Sequence, residues 1–95
     1  MADTVVHDES GSRFVLKRGE QEIGETVYET REDGGIVFVH TQVDQELQER
    51  GLGSILVKGA LDQLRDATEV RIGATCPFVR RYFDEHPEYG DLTSR

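Results

Sequence analysis

The segment at residues 43–54 constrains the fold most, because a β-strand pattern ends there and a helical pattern begins. Gly51 and Gly53 lie at the change. The first turn of a helix leaves four backbone N–H groups without intrahelical partners, and the helix dipole places about half a positive charge at the same end. Glycines carry no Cβ, so a ligand can approach such N–H groups closely. This arrangement suits a phosphate.

Two better known phosphate loops do not fit this segment. A P-loop requires Lys and then Ser or Thr directly after its last glycine, whereas Gly53 is followed by Ser54 and Ile55. A dinucleotide-binding fingerprint requires a third glycine at the position of Leu56 and a longer alternation of strands and helices than 95 residues provide. The segment therefore belongs to neither class.

The pattern Gln48-x-x-Gly51-x-Gly53 resembles the pyrophosphate loop of the GNAT superfamily of acetyl-coenzyme A-dependent N-acetyltransferases, whose motif is Arg/Gln-x-x-Gly-x-Gly/Ala. Val43 and Asp44 resemble the end of the strand that precedes this loop in the family. The resemblance implies that acetyl-coenzyme A (acetyl-CoA) is the cofactor and that the loop, the strand before it and the second helix bind it. The residues implied are Thr41, Val43, Gln48, Glu49, Arg50, Gly51, Leu52, Gly53, Ser54, Cys76 and Arg80.

Length and composition indicate one domain over residues 1–95, with a core at about 13–89 and flexible ends. Hydrophobic residues make up 36% and charged residues 32% of the chain, and no apolar run approaches the roughly 20 residues of a membrane span. The N-terminus lacks the pattern of a signal peptide, and Cys76 is the single cysteine. We therefore expect a cytoplasmic protein that does not bind a membrane.

The net charge of −8 disfavours nucleic acid as a partner, because an acidic surface repels a phosphate backbone at long range. A small phosphate-bearing ligand stays compatible, since N–H groups act at contact distance and salt screens the global charge over roughly 8–10 Å. The acidity also favours a basic acceptor. No His, Cys or acidic residues have the spacing of metal ligands, so we expect no metal.

Hydrophobic periodicity predicts strands at 13–17, 23–31 and 36–43, a helix from about 52 to about 66, a strand at 70–75 and a helix from Pro77 to about 85. Residues 1–11 predict a loose tail, or an edge strand over 4–7, and residues 88–95 a frayed tail. The order β-β-β-α-β-α predicts an α+β fold with a mixed, mostly antiparallel sheet and two helices. It corresponds to a truncated GNAT-like fold and resembles a small subfamily of uncharacterised acetyltransferases.

In that family the strand before the loop and the strand after the helix splay apart, and the pantetheine arm lies between them. The resemblance therefore implies that 40–43 and 72–76 line the opening. The family's usual tyrosine acid falls on Phe83, with Tyr82 one residue away, and Tyr82 is better interpreted as a packed aromatic. Cys76 and His40 are the catalytic candidates, Cys76 because a helix start favours a thiolate. Both also have structural interpretations as core residues.

The sequence favours an N-acetyltransferase that moves an acetyl group from acetyl-CoA to an amine, on a small molecule or a protein, that the sequence does not identify. A non-catalytic acyl-CoA-binding or sensing module is the alternative from another class, and a ligand-free interaction domain is a third. An acceptor groove completed by a second copy in a homodimer would favour the enzyme. The acceptor and the acyl chain length are left open.

Overall fold

The structure, a computed structural model, describes residues 3–44 and 51–95. Over these residues, five strands and three α-helices follow one another, with a 3₁₀ turn at Pro87–Tyr89. In chain order they are β1 (Asp3–Asp8), β2 (Arg13–Arg18), β3 (Gln21–Thr30), β4 (Ile36–Val43), α1 (Leu52–Ala67), β5 (Ile72–Ala74), α2 (Pro77–Glu85) and α3 (Gly90–Thr93). The prediction of an α+β fold with a mixed, mostly antiparallel sheet is confirmed.

The five strands form one sheet in the order β1-β2-β3-β4-β5. The pairs β1–β2, β2–β3 and β3–β4 are antiparallel, and β5 is parallel to β4, as a strand reached through a crossover helix should be. Helix α1 packs against β1 to β4 through residues spaced three and four apart. Its buried residues are Leu52, Leu56, Val57, Ala60, Leu61 and Leu64.

Two β-bulges change which residues face the helices. Leu16 pairs with Gly24 while Lys17 pairs with Glu22, so Ile23 is an extra residue on β3. Ile23 is 1% exposed and joins the core together with Tyr28, although simple alternation would place the two on opposite faces. On β4, Val39 is the extra residue, because Val27 and Tyr28 pair with His40 and Phe38.

The structure corrects both predicted chain ends. The predicted loose tail at residues 1–11 is wrong over β1, whose six residues all pair with β2, so the alternative of an edge strand is the one confirmed. The predicted frayed tail is also wrong, because Tyr89 and Leu92 are 5% and 0% exposed and belong to the core. A third helix and a fourth strand before the loop are therefore added to the predicted order. Within the described ranges no helix is long and apolar enough to span a membrane.

Candidate active site

Strand β4 is paired along its whole length on one side and along only part of it on the other. On the β3 side the pairs run from Thr30–Ile36 to Gly24–Val43. On the β5 side they end at Phe38–Ala74, and the Phe38 carbonyl accepts the N–H groups of both Thr75 (2.9 Å) and Cys76 (3.1 Å). Among the described residues, no further pair joins the two parallel strands beyond this point. We call the gap between residues 39–43 and residues 75–78 the β4–β5 opening.

The backbone of Thr41 and Val43 faces this opening. The Asp44 N–H donates to the Ile23 carbonyl at 2.8 Å, which directs the backbone of Asp44 toward β3. Because backbone groups alternate along a strand, Gln42 also points toward β3, whereas Thr41 and Val43 point the other way. Buried amide groups require hydrogen-bond partners, so this side of β4 can accept an amide-containing ligand.

Helix α1 begins with the geometry that the loop pattern predicts. Gly51 is its N-terminal cap and has a φ of 82°, in the left-handed region that favours glycine. The first intrahelical bond joins the Ile55 N–H to the Gly51 carbonyl at 3.0 Å, so the N–H groups of residues 52–54 precede the helical ladder. Leu52 is 4% exposed, which leaves only its backbone for a ligand, while Ser54 is exposed. Gln48, Glu49 and Arg50 lie outside the described residues.

Gly53, the second glycine of the loop pattern, is required for a different physical reason from Gly51. A Cβ on Gly53 would lie 2.6 Å from the Phe78 ring carbon Cζ, and 3.1 and 3.2 Å from the two neighbouring ring carbons. The ring of Phe78, a residue 42% exposed on the first turn of α2, therefore lies directly against Gly53. Glycine at this position lets the starts of α1 and α2 meet.

Cys76 lies at the junction of β5 and α2 and is linked to β4 through hydroxyl groups. The residue is 4% exposed and forms the N-terminal cap of α2, with Pro77 as the first helical residue. The Cys76 S–H donates to Thr41 Oγ1 at 3.4 Å, and Thr41 Oγ1 lies 2.9 Å from Thr26 Oγ1. The structure thus brings together Cys76 and Thr41, two residues implied by the sequence, and adds Thr26.

His40 does not reach Cys76. Its side chain is exposed, and its Nε2 lies 3.4 Å from Gln42 Oε1. Thr41, the next residue, points its hydroxyl toward Cys76, and successive side chains of a strand lie on opposite faces of the sheet. The imidazole and the thiol therefore have the sheet between them. His40 is not placed to act as a base on Cys76, which leaves Cys76 as the catalytic candidate within the opening.

Positive side chains near the helix starts are partly neutralised by their own helices. Lys58 Nζ lies 2.8 Å from Asp62 Oδ2, and Arg81 Nε lies 3.6 Å from Glu85 Oε2, each pair being four residues apart. Arg80 is exposed on α2, one turn after Cys76, and its N–H donates to the Cys76 carbonyl at 3.0 Å. Of the basic residues described on α1 and α2 near the opening, Arg80 is the best candidate for a phosphate contact.

Tyr82 is a packed aromatic, in agreement with the structural interpretation of its sequence position. It is 5% exposed, its ring stacks on His86 at a centroid distance of 4.1 Å, and it contacts Tyr89 at 5.8 Å. Burial raises the pKa of its phenol. Tyr89 in turn donates to Asp62 Oδ1 at 2.6 Å, so these rings fix the C-terminal turn onto α1.

A groove of about 490 Å³ lies beside the paired ends of β3 and β4, lined in part by Arg13, Ile23 and Val43. Arg13 at its wall contacts Asp8, Glu22 and Glu25 at 2.8, 3.3 and 3.1 Å, and its hydrogen bond lowers the pKa of Asp8. The carboxylates around Arg13 therefore have a cationic partner within the protein. Among the described residues, no group of three or more His, Cys, Asp or Glu side chains could hold a metal ion.

Comparison with known proteins places this geometry in a family. The model of the GCN5-related N-acetyltransferase family matches residues 13–92, so the chain belongs to that family. The assignment to the acetyltransferase class is thereby confirmed. A solved solution structure of a GCN5-like protein from Staphylococcus aureus, itself a proposed N-acetyltransferase, has a similar fold. It is 24% identical, the match covers 93% of this chain and 84% of that chain, and the TM-score is 0.68. No curated protein matches the chain.

Sequence reasoning missed two residues that shape the opening, Thr26 and Phe78. Thr26 shares a strand face with Tyr28, and a small hydroxyl residue on an otherwise apolar face is a signal that could have directed attention to it. Phe78 gave no comparable signal, because its position over Gly53 depends on how α1 and α2 cross. A helical aromatic is ordinarily interpreted as core, yet this one is 42% exposed.

Proposed function

We propose that this protein binds acetyl-CoA in the β4–β5 opening and transfers its acetyl group to an amine. One observation carries the proposal: the pairing of β4 with β5 ends at Phe38–Ala74, and the start of α1 lies beside the same gap through the contact of Gly53 with Phe78. A groove with open strand backbone at one end and helix N–H groups at the other matches a ligand that is peptide-like along one part and a diphosphate at the other.

The start of α1 fits the diphosphate. Gly51 turns the chain into the helix through its positive φ, and the N–H groups of residues 52–54 precede the first helical hydrogen bond. Such groups, together with the helix dipole, favour an anion. Arg80 adds a positive charge from α2. Within the described residues it forms no ion pair, although Asp84 lies four residues further on, whereas Arg81 pairs with Glu85.

The open side of β4 fits the pantetheine arm. The backbone groups of Thr41 and Val43 point into the opening, and the two amides of pantetheine can pair with them as an added strand would. Val43 packs partly against the core and so keeps this segment of backbone fixed. The loop residues Gln48, Glu49 and Arg50 belong to the proposed coenzyme site through the family motif alone.

Acetyl-CoA supplies a thioester whose carbonyl accepts a nucleophile and whose thiolate leaves. Backbone N–H groups beside the opening can stabilise the negative charge that develops on the carbonyl oxygen. Two routes are open to Cys76. In the first, its thiolate takes the acetyl group and passes it to the amine. In the second, its S–H protonates the leaving thiolate while the amine attacks the thioester directly. The amine nitrogen loses one proton in either route: in the first, this proton neutralises the CoA thiolate that has left, and in the second, it restores the S–H of Cys76.

Calorimetric titration of CoA into the wild type and Gly51→Val tests the coenzyme site. Valine is strained at a φ of 82°, so we expect the variant to lose CoA binding while its circular dichroism spectrum stays that of the wild type. Gly90→Val is the matched control, since a Cβ there meets no atom within 4 Å, and it should bind as the wild type does. Equal affinity in all three proteins would refute the loop assignment.

A non-catalytic acyl-CoA-binding module is the second candidate, and the position of Tyr82 favours it. The ring is buried among His86 and Tyr89, and burial raises its pKa, so it is poorly suited to act as an acid at neutral pH. Wild-type protein that binds CoA but acetylates no amine in a broad panel of small amines and lysine peptides would select this module over the enzyme.

A further inference from the structure

Thr26 is an unusual core residue of this protein. It is 0% exposed, and in the described part of the chain it is the only polar non-aromatic residue that is buried. Its hydroxyl lies 2.9 Å from Thr41 Oγ1 and 3.4 Å from the His40 carbonyl. Burying a hydroxyl is unfavourable unless it is hydrogen-bonded, and these two partners satisfy it.

Stability alone does not explain this hydrogen-bonded pair of threonines, of which Thr26 is buried. A neutral hydrogen bond contributes about 0.5–1.5 kcal/mol net, and replacing both partners by apolar groups of the same shape is close to neutral. Valine has nearly the shape of threonine, so Val at 26 and 41 would fill the same space. The hydroxyl pair is better explained by what Thr41 contacts on its other side, which is the Cys76 thiol at 3.4 Å.

The donors in this chain of groups run in one direction. Cys76 donates its S–H to Thr41, and Thr26 donates its hydroxyl to the His40 carbonyl. Either hydroxyl of the threonine pair can donate to the other. When Thr26 donates to the His40 carbonyl, its one hydrogen is used, and Thr41 then donates to Thr26. The order is therefore Cys76 to Thr41 to Thr26 to the backbone of His40. Every hydrogen in it has an acceptor, which fixes the rotamer of Thr41 toward the sulfur.

We propose that Thr26 is a positioning residue that acts through Thr41 on the Cys76 thiol. The inference rests on the proposed function in so far as Cys76 takes part in acetyl transfer. When the proton leaves the sulfur, the same hydroxyls can turn, so that Thr26 donates to Thr41 and Thr41 donates to the thiolate. The Thr26–Thr41 pair thus presents a hydrogen-bonding group to the sulfur in both protonation states, from a strand that does not border the opening.

The infrared S–H stretching band tests the proposal on the free protein. Cys76 is the single cysteine, so one band reports on one thiol. Loss of its acceptor in Thr41→Val should move the band to higher wavenumber. Thr26→Val should move it in the same direction, Thr26→Ser should keep the wild-type position, and Thr26→Val should add no shift to Thr41→Val. Thr30→Val, an exposed threonine on the same strand, is the matched control and should leave the band unchanged.

Two results would overturn the proposal. One is a band that stays at the wild-type position in Thr26→Val, and the other is a Thr26→Val shift that persists unchanged in the Thr41→Val background. Urea denaturation shows whether each variant is folded, and Thr26→Ala replaces Thr26→Val if the valine does not fold. The measurement needs neither acetyl-CoA nor an amine. A failed acetyltransferase assay with the expected band shifts would therefore refute the proposed activity and leave the positioning role standing.

Discussion

Strand β4 pairs with β3 on one side and with β5 on the other, and the two sets of pairs end at different points along it. Seven residue pairs join β4 to β3, and they continue past the bulge at Val39 to the end of the strand. Only three pairs join β4 to β5. We call the β3 side of β4 the closed flank and the β5 side the open flank. On the closed flank the pairing resumes after the extra residue Val39, whereas on the open flank it ends at Phe38–Ala74. A single strand therefore supports the sheet on one side and borders the proposed coenzyme site on the other.

The short partner strand explains why the open flank stays open. β5 has three residues, and two residues separate its end from Pro77, which begins α2. Proline has no N–H for a ladder and its fixed φ suits the first turn of a helix, so β5 cannot follow β4 further. Cys76 is held at this turning point with extended backbone angles, φ −63° and ψ 123°. The difference between the flanks predicts which substitutions affect stability and which affect binding.

The largest expected effect is on the closed flank and concerns stability. Ile23 is 1% exposed and its carbonyl accepts the Asp44 N–H at the end of β4. Ile23→Ala should lower the free energy of unfolding by about 2–5 kcal/mol, measured by urea denaturation. Ile55→Ala, which truncates an isoleucine that is 46% exposed, should change it by less than about 0.5 kcal/mol. The folded Ile23 variant should keep its CoA affinity, and a large loss of affinity would show that the flanks are not independent.

The next effect is on the open flank and concerns turnover. Cys76→Ala should retain CoA binding and lose roughly a hundredfold in kcat, which corresponds to about 2.7 kcal/mol in the barrier. Thr75→Ala is the matched control, because Thr75 is the exposed neighbour at the same strand end. Mass spectrometry after mixing with acetyl-CoA should detect acetylated Cys76 if the thiolate takes the acetyl group. Full activity of Cys76→Ala would exclude both roles of the thiol.

Periodicity predicted β2 to β5, α1 and α2 in their order, and the family resemblance implied that β4 and β5 splay apart, but the bulges and the C-terminal elements were not predicted. Periodicity located the strands and helices, and Gly51 with its positive φ has the backbone geometry that a glycine at a helix start suggests. The bulges at Ile23 and Val39 were not predictable, because a bulge is defined by the register with the partner strand. The hydrophobic pattern of a single strand does not determine that register.

The same limit applies to contacts between distant elements. The ring of Phe78 over Gly53 and the hydroxyl of Thr26 beside Thr41 depend on tertiary packing. The C-terminal turn was missed for another reason, since Leu92 contributes a single fully buried side chain to a helix of four residues. A helix that short carries too few residues for a periodicity to be recognised.

A smaller expected effect on CoA binding shows whether Gly53 is needed to make room for the Phe78 ring or for the diphosphate. Gly53→Ala should weaken CoA binding by about tenfold, or about 1.4 kcal/mol, because the methyl group displaces the Phe78 ring toward the opening. In a Phe78→Ala background the same substitution should have little effect, since the ring is gone. Calorimetry on the four proteins of this cycle gives the comparison, with Gly90→Ala as the control for an unobstructed alanine. An equal loss in both backgrounds would mean that the glycine is needed for the diphosphate itself.

The smallest effect concerns the charge at the mouth of the open flank. Arg80 is exposed one turn after Cys76, while Arg81 beside it lies 3.6 Å from Glu85. Surface charges of this kind contribute about 0.2–1 kcal/mol, so Arg80→Ala should weaken CoA binding by about threefold and Arg81→Ala by less. Salt screens such contacts, and the gap between wild type and Arg80→Ala should therefore close as ionic strength rises. Calorimetry at low and high salt measures both. A loss in Arg81→Ala that equals or exceeds the loss in Arg80→Ala would place the phosphate contact on the other side of α2.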